Sequence, residues 1–199
     1  MNIPLETIKK LREETLAGIL DCKKALEEAK GNSQKARKLL RERGVKIARK
    51  KSKEKTSEGI ISSYIHHNRK LGVLVEIRCQ SDFVAKNTEF QKFTKDIAMH
   101  IAAFNPKWIS VQGIPKKIIE EEKAILRAQI EKEKKPAHII EKIIKGRLEK
   151  FYKEVCLLSQ PFFKDDKIIV KDHLQQVIAK TGENIRIHRF VRFELGEEN

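Results

Sequence analysis

The stretch "GVLVEIRCQSDFVAKNTEFQKFTKDIAMHIAAF", Gly72 to Phe104, changes its repeat half-way along. At its start Val73, Val75, Ile77 and Cys79 alternate with Leu74, Glu76 and Arg78, the two-residue period of a strand. From Phe90 onward, Phe93, Ile97, Ile101 and Phe104 follow at spacings of three and four, which predicts a helix closed by Asn105-Pro106. Between the two periods Asp82 and Phe83 fall on a polar turn, where a large apolar ring has no core of its own to fill.

Working outward, "GIISSYIHH" precedes the strand and is separated from it by "NRKL", a length suited to a hairpin. Near the other terminus "NIRIHRFVRFEL" is β-rich and is expected to add a strand to that hairpin. A charged helix is expected from about Pro115 to Lys135. A second opens at Pro136 and runs through Ile140, Ile143, Ile144 and Leu148, so the two would form an antiparallel pair around Lys135-Pro136. A short helix follows from about Asp172 to Lys180.

Before the hairpin lie three short helical patterns: Pro4 with Leu5, Ile8 and Leu11; Ile19, Cys22, Leu26 and Ala29 with Gly31 as C-terminal cap; and Ala36, Leu39 and Leu40, capped by Asn32 or Ser33 and stopped by Gly44. The expected class is α+β: a three-helix module over residues 1–48, a basic linker over 49–58, and a core over 59–199 with a small antiparallel sheet packed on helices.

The charge of +15 raises a nucleic acid or an acidic partner first. The lysines are nonetheless interleaved with glutamates, and "IEEEKAILRAQIEKEKK" reads as a solvated helix face. The basic run "KIARKKSKEKTSEG" lacks the aromatics that stack on bases, so it reads as a linker or an exposed helix extension. The rival reading that charge supports is a basic RNA- or ribosome-binding protein, whose affinity would fall steeply with salt.

Cys22, Cys79 and Cys156 are far apart and have no CxxC spacing. That argues against a disulfide framework and a zinc site, and for small buried hydrophobes in a reducing compartment. No run is long enough to span a membrane, and "MNIPLETIKK" has no signal-peptide character, so a soluble cytoplasmic protein is expected.

Motifs for chemistry fail one after another. "GILDCKK" and "GENIRIH" miss the phosphate-loop spacing, and no GxGxxG, HExxH or GxSxG occurs. His66 and His67, at a strand end, would point to opposite faces, a poor start for a metal site. His100 lies one residue from the apolar stripe of its helix with no nucleophile beside it in sequence. The expectation is no enzyme, no cofactor and no bound metal.

Phe83 keeps two readings. In one, Ser81 or Asp82 caps a helix start, the ring folds back as a staple, and Asn87 or Thr88 opens the next turn. In the other, the ring is a wedge for a pocket on a partner, with Asp82 beside it to accept hydrogen bonds or repel a metal-binding carboxylate.

"EIRCQSDFVAKN" resembles the second signature of the elongation factor Ts family, which usually has Asn at Arg78 and Thr at Ser81. "LREETLAGILDCKKALEEAKGN" resembles the first, where the family has Gly at Leu16 and a Met pair at Ile19-Leu20. "DIAMHIAAFNPKWIS", "EVCLLSQPFFKDD" and "TGENIRIHRFVRFELGE" are similar to further family blocks, so the likeness runs from Leu5 to about Glu197.

The resemblance implies a guanine-nucleotide exchange factor for elongation factor Tu, with a ubiquitin-associated-like N-terminal module and a dimerisation core. It implies that Ser81, Asp82, Phe83 and Val84 act on the partner's nucleotide site and help dislodge its magnesium. It implies that Ile19, Leu20 and Lys23 on the N-terminal module dock on the partner. It also implies a homodimer, since the short form resembles dimeric members, and no specific nucleic-acid or membrane partner.

Overall fold

In a computed structural model describing residues 3–15, 17–131 and 136–197, the chain divides into two compact units, residues 1–99 with 171–199 and residues 100–170. The first unit opens with helices α1 (Leu5–Thr15), α2 (Ile19–Glu28) and α3 (Ser33–Lys51). Their shared core is made of Ile3, Ile8, Leu11, Cys22, Ala25, Leu26, Ala29, Ala36 and Leu40. Leu5 and Ile19, counted into the apolar stripes from spacing, point outward instead. Ile3, just ahead of α1, occupies that core with Ile8 in the manner of a hydrophobic staple.

Helix α2 ends in a Schellman turn, in which Gly31 N donates to Leu26 O (2.8 Å) and Lys30 N to Glu27 O (3.1 Å). The next helix is capped by Asn32, whose side chain accepts from Lys35 N at 3.0 Å. Gly44 does not stop α3, which runs on to Lys51. Ala36, Leu40, Gly44 and Ala48 form one buried stripe at four-residue spacing, and a Cβ on Gly44 would lie 3.7 Å from that of Ala179. A Cβ there would make only ordinary van der Waals contact, and the buried stripe carries the helix through the glycine.

Strands β1 (Glu58–Ile65) and β2 (Leu71–Cys79) form the expected hairpin, with Glu58 opposite Cys79 and Ile65 opposite Gly72. Gly59 carries φ +150°, and any Cβ there would meet Ile77 O at 2.3 Å. A four-residue helical turn, α4 (Asp82–Ala85), leads into α5 (Thr88–Phe104), where Phe90, Phe93, Ile97 and Ile101 are buried as their spacing predicted, while Phe104, the last of that stripe, is exposed.

In the second unit α6 (Lys116–Glu131) and α7 (Ala137–Val155) share a core of Leu126, Ile130, Ile144 and Leu148. The connection between them, 132–135, lies outside the described residues. A two-stranded ribbon of β3 (Pro161–Phe162) and β4 (Asp165–Ile169) follows, too short for periodicity to reveal. His100 is fully buried in this unit, stacked on Phe104 with centroids 4.6 Å apart. Its Nε2 faces Gln160 Oε1 at 3.0 Å.

The chain returns to the first unit through α8 (Val170–Thr181) and β5 (Arg186–Glu194). The last strand adds antiparallel to β2, as expected, giving the order β1-β2-β5. Val73, Val75, Ile77 and Cys79 fill the sheet's inner face, so the architecture is α+β with a small antiparallel sheet packed on helices. No helix among the described residues is long and apolar enough to cross a membrane.

Candidate functional site: the turn that carries Phe83

The end of β2 is set by chemistry just beyond its last paired residue. The Cys79 thiol donates to Ser81 O at 3.1 Å, and burial, helped by the Glu183 charge, pushes its pKa up to about 11. It is therefore a protonated, structural thiol. Ser81 is extended (φ −125°, ψ 156°), and its Oγ accepts from Val84 N at 3.3 Å, the N-cap of α4. Ala85 N then donates to Ser81 O, Lys86 N to Asp82 O and Asn87 N to Val84 O. Asn87 Oδ1 accepts from Glu89 N at 2.8 Å and opens α5.

The side chains of this turn divide by direction. Val84 and Ala85 are buried and pin it to the hairpin. Asp82 and Phe83 face water, the ring 78% exposed. The cap expected at Ser81 is therefore present in the structure, but the ring does not fold back as a staple. Asp82 Oδ2 accepts from Lys86 Nζ at 2.8 Å. This bond holds the carboxyl below its usual pKa and raises that of the ammonium. Asp82 is thus an anion beside an exposed ring.

A carboxylate far along the chain completes the turn. Glu183 Oε2 accepts from Gln80 N (3.2 Å) and Ser81 N (3.0 Å), while its Oε1 accepts from Ser81 Oγ at 2.6 Å. Gln80 Oε1 in turn accepts from Asn184 N at 2.7 Å. Nothing local in "TGENIRIH" announces this role, and spacing alone missed both residues.

On the three-helix module, Leu20 is 69% and Ile19 44% exposed at the start of α2, with Lys23 one turn on and 3.9 Å from Glu27. They form a second outward apolar spot. Leu16 lies outside the described residues. A third spot is the outer face of the sheet. Ile61, Ile65, Leu74, Val191 and Phe193 are all exposed there, with Leu74 opposite Val191 and Gly72 opposite Phe193. At its edge Glu76 accepts from both Arg78 and Arg189 at 2.6 Å, and the two guanidiniums lower its pKa.

The histidine pair departs from expectation. Because β1 stops at Ile65, strand alternation no longer governs His66 and His67, and their rings meet with centroids 4.2 Å apart. Tyr64 Oη lies 2.9 Å from His66 Nδ1. Among the described residues no group of three or more His, Cys, Asp or Glu side chains could hold a metal ion. All three cysteines are buried and free.

Comparison with known proteins places these features in context. The family model described as Elongation factor TS matches residues 5–197. A protein named Elongation factor Ts from Carboxydothermus hydrogenoformans is 54% identical over 195 residues, 98% of this chain and 90% of that relative. One from Thermosipho melanesiensis is 50% identical over 98% of this chain and all of its own length. One from Thermotoga neapolitana is 49% identical over the full length of both.

Proposed function

The chain belongs to the elongation factor Ts family of translation elongation factors, and on that premise we propose that it is the guanine-nucleotide exchange factor for elongation factor Tu. The observation that carries the mechanism is Phe83, 78% exposed on a turn held by the Ser81 cap and by the amides of Ala85, Lys86 and Asn87. A ring held out in water on a fixed turn stabilises a complex when it fills a partner's pocket, by about 1.5–3 kcal/mol for full burial.

A GTPase grips GDP through backbone amides around the phosphates and a bound Mg²⁺. If the pocket for Phe83 opens only when those loops move aside, the factor binds the nucleotide-free state more tightly, and only such a difference shifts the equilibrium. Asp82 brings a negative charge to the same place, where it competes for or repels the groups around the metal. Val84, being buried, serves as the anchor of the wedge, and Ser81 as its cap. No bond is made or broken, so the protein acts as a cytoplasmic exchange factor without a catalytic base or a cofactor of its own.

In this reading residues 1–48 form the ubiquitin-associated-like docking module. Its exposed Ile19 and Leu20, flanked by Lys23, rest on the partner's GTPase domain. Residues 49–58 link it to the core, 59–199. The outer sheet face supports a homodimer: five exposed apolar side chains on adjacent strands make a patch that one copy can present to another about a two-fold axis.

Release of a fluorescent GDP analogue from elongation factor Tu tests the proposal. The protein should accelerate release, and Phe83→Ala should lose about tenfold or more of that acceleration, the factor that about 1.4 kcal/mol represents. A folded Phe83→Ala variant as fast as wild type moves the work elsewhere. No acceleration by wild type ends the proposal, and affinity for RNA that falls steeply with salt would then favour the rival reading.

A further inference from the structure

We propose that Glu183 and Asn184 are positioning residues that hold the Phe83 turn ready for its partner, and that they reference it to the same point that anchors the chain leaving the three-helix module. The proposal rests on the exchange reading above and extends it to two residues in the turn between α8 and β5.

The sheet cannot hold the turn by itself. The last rung of β1 and β2 is Glu58 opposite Cys79, so the amides of Gln80 and Ser81 lie beyond the ladder. Glu183 takes both of them on one carboxylate oxygen and the Ser81 hydroxyl on the other. These are charge-assisted bonds, stronger than neutral ones. The same hydroxyl accepts from Val84 N, so the carboxylate fixes the cap that starts α4. A four-residue helix has little stability of its own, and its conformation is therefore set by what grips its first residue.

Asn184 closes the arrangement. It is 3% exposed; its backbone N–H donates to Gln80 Oε1 at 2.7 Å, and its side-chain amide donates to Glu54 O at 2.7 Å and Ser52 O at 3.5 Å. Ser52 and Glu54 lie just past the end of α3, so two adjacent residues of one turn hold the chain leaving the module and the chain entering α4. A wedge already ordered before binding avoids the entropy of ordering it in the complex. Loosening Glu183 should therefore weaken exchange far more than it weakens the fold.

The test combines amide hydrogen exchange of the free protein with GDP release, for wild type, Glu183→Ala, Ser81→Ala and the double variant. In Glu183→Ala the amides of Gln80 and Ser81 should exchange about tenfold or more faster, while those of Val73 and Val75 stay protected. Stimulated GDP release should fall by about tenfold, and the double variant should lose less than the product of the two single losses, because both act through one bond.

Glu183→Gln keeps the shape and one carbonyl acceptor. It should show the same pattern at smaller amplitude, including where the alanine variant folds poorly. Unchanged protection at Gln80 and Ser81, or wild-type release by folded Glu183 variants, overturns the proposal while leaving the exchange reading intact. Absence of stimulation by wild type sinks the exchange reading and the functional half of this one; the hydrogen-exchange result then still decides whether Glu183 holds the turn.

Discussion

Ser81 Oγ donates a 2.6 Å hydrogen bond to Glu183 Oε1 and at the same time accepts from Val84 N, so one hydroxyl joins the start of a short helix to the far end of the chain. Removing it should cost the cap and leave part of the Glu183 carboxylate unpartnered. Ser81→Ala is expected to lower stability by about 1–2 kcal/mol in denaturant unfolding. Ser81→Thr, which supplies the residue usual in the resembled family, should stay within about 0.5 kcal/mol. Equal losses for both would deny the hydroxyl its role.

Two glycines should respond in opposite senses to the same change. Gly59→Ala places a Cβ 2.3 Å from Ile77 O, at a backbone φ of +150°, and should destabilise by about 1–3 kcal/mol. Gly146, in the interior of α7, faces open space: beyond its own helix backbone and chain neighbours, a Cβ there would meet no atom within 4 Å. Gly146→Ala should therefore stabilise by about 1 kcal/mol through helix propensity. Paired thermal and denaturant melts check both signs.

His100 should make the second unit sensitive to mild acid. Gln160 Nε2 donates to Glu154 O at 2.7 Å, which turns Gln160 Oε1 toward His100 and requires the ring to donate from Nε2. Its Nδ1 is then a buried acceptor without a hydrogen bond. Burial lowers the pKa below 6.5, with the Gln160 bond opposing the shift more weakly. The unfolded chain therefore binds this proton before the folded one does. The stabilisation is present above pH 6.5 and is lost as the pH falls from there through the folded-state value. Denaturant unfolding followed by Trp108 fluorescence, the chain's one tryptophan, should show this slope in wild type and a reduced one in His100→Gln. Parallel slopes would contradict it.

The outer sheet face should control self-association. Phe193→Glu or Leu74→Glu puts a charge into an exposed apolar patch without touching the inner core. Sedimentation should show wild type at twice the 23.1 kDa chain mass and each variant at 23.1 kDa. A wild type that stays monomeric at high concentration contradicts the dimer.

Much of the fold could be read from period alone. The switch from Val73–Cys79 to Phe90–Phe104 gave strand, turn and helix, and the β-rich "NIRIHRFVRFEL" gave the third strand. What escaped was decided by contacts between distant residues. Gly44 reads as a stop because a glycine in a helix usually weakens it, whereas here it lies in a buried stripe with Ala36, Leu40 and Ala48 and the helix continues to Lys51. Phe83 stands out twice in the sequence, as an apolar ring with no local core and as part of the "EIRCQSDFVAKN" signature. The carboxylate that steadies its turn comes from Glu183, 102 residues beyond Ser81, and no local pattern connects the two.

The most direct test of the account is the affinity of the protein for elongation factor Tu in its nucleotide-free and GDP·Mg²⁺-bound forms, for wild type and Phe83→Ala. By linkage, the ratio of the two Kd values must equal the factor by which the protein weakens GDP. The account predicts that wild type binds the nucleotide-free form more tightly by about 100-fold or more, and that Phe83→Ala shrinks this ratio by about tenfold. Equal affinity of wild type for the two forms, or a ratio untouched by the substitution, would contradict it.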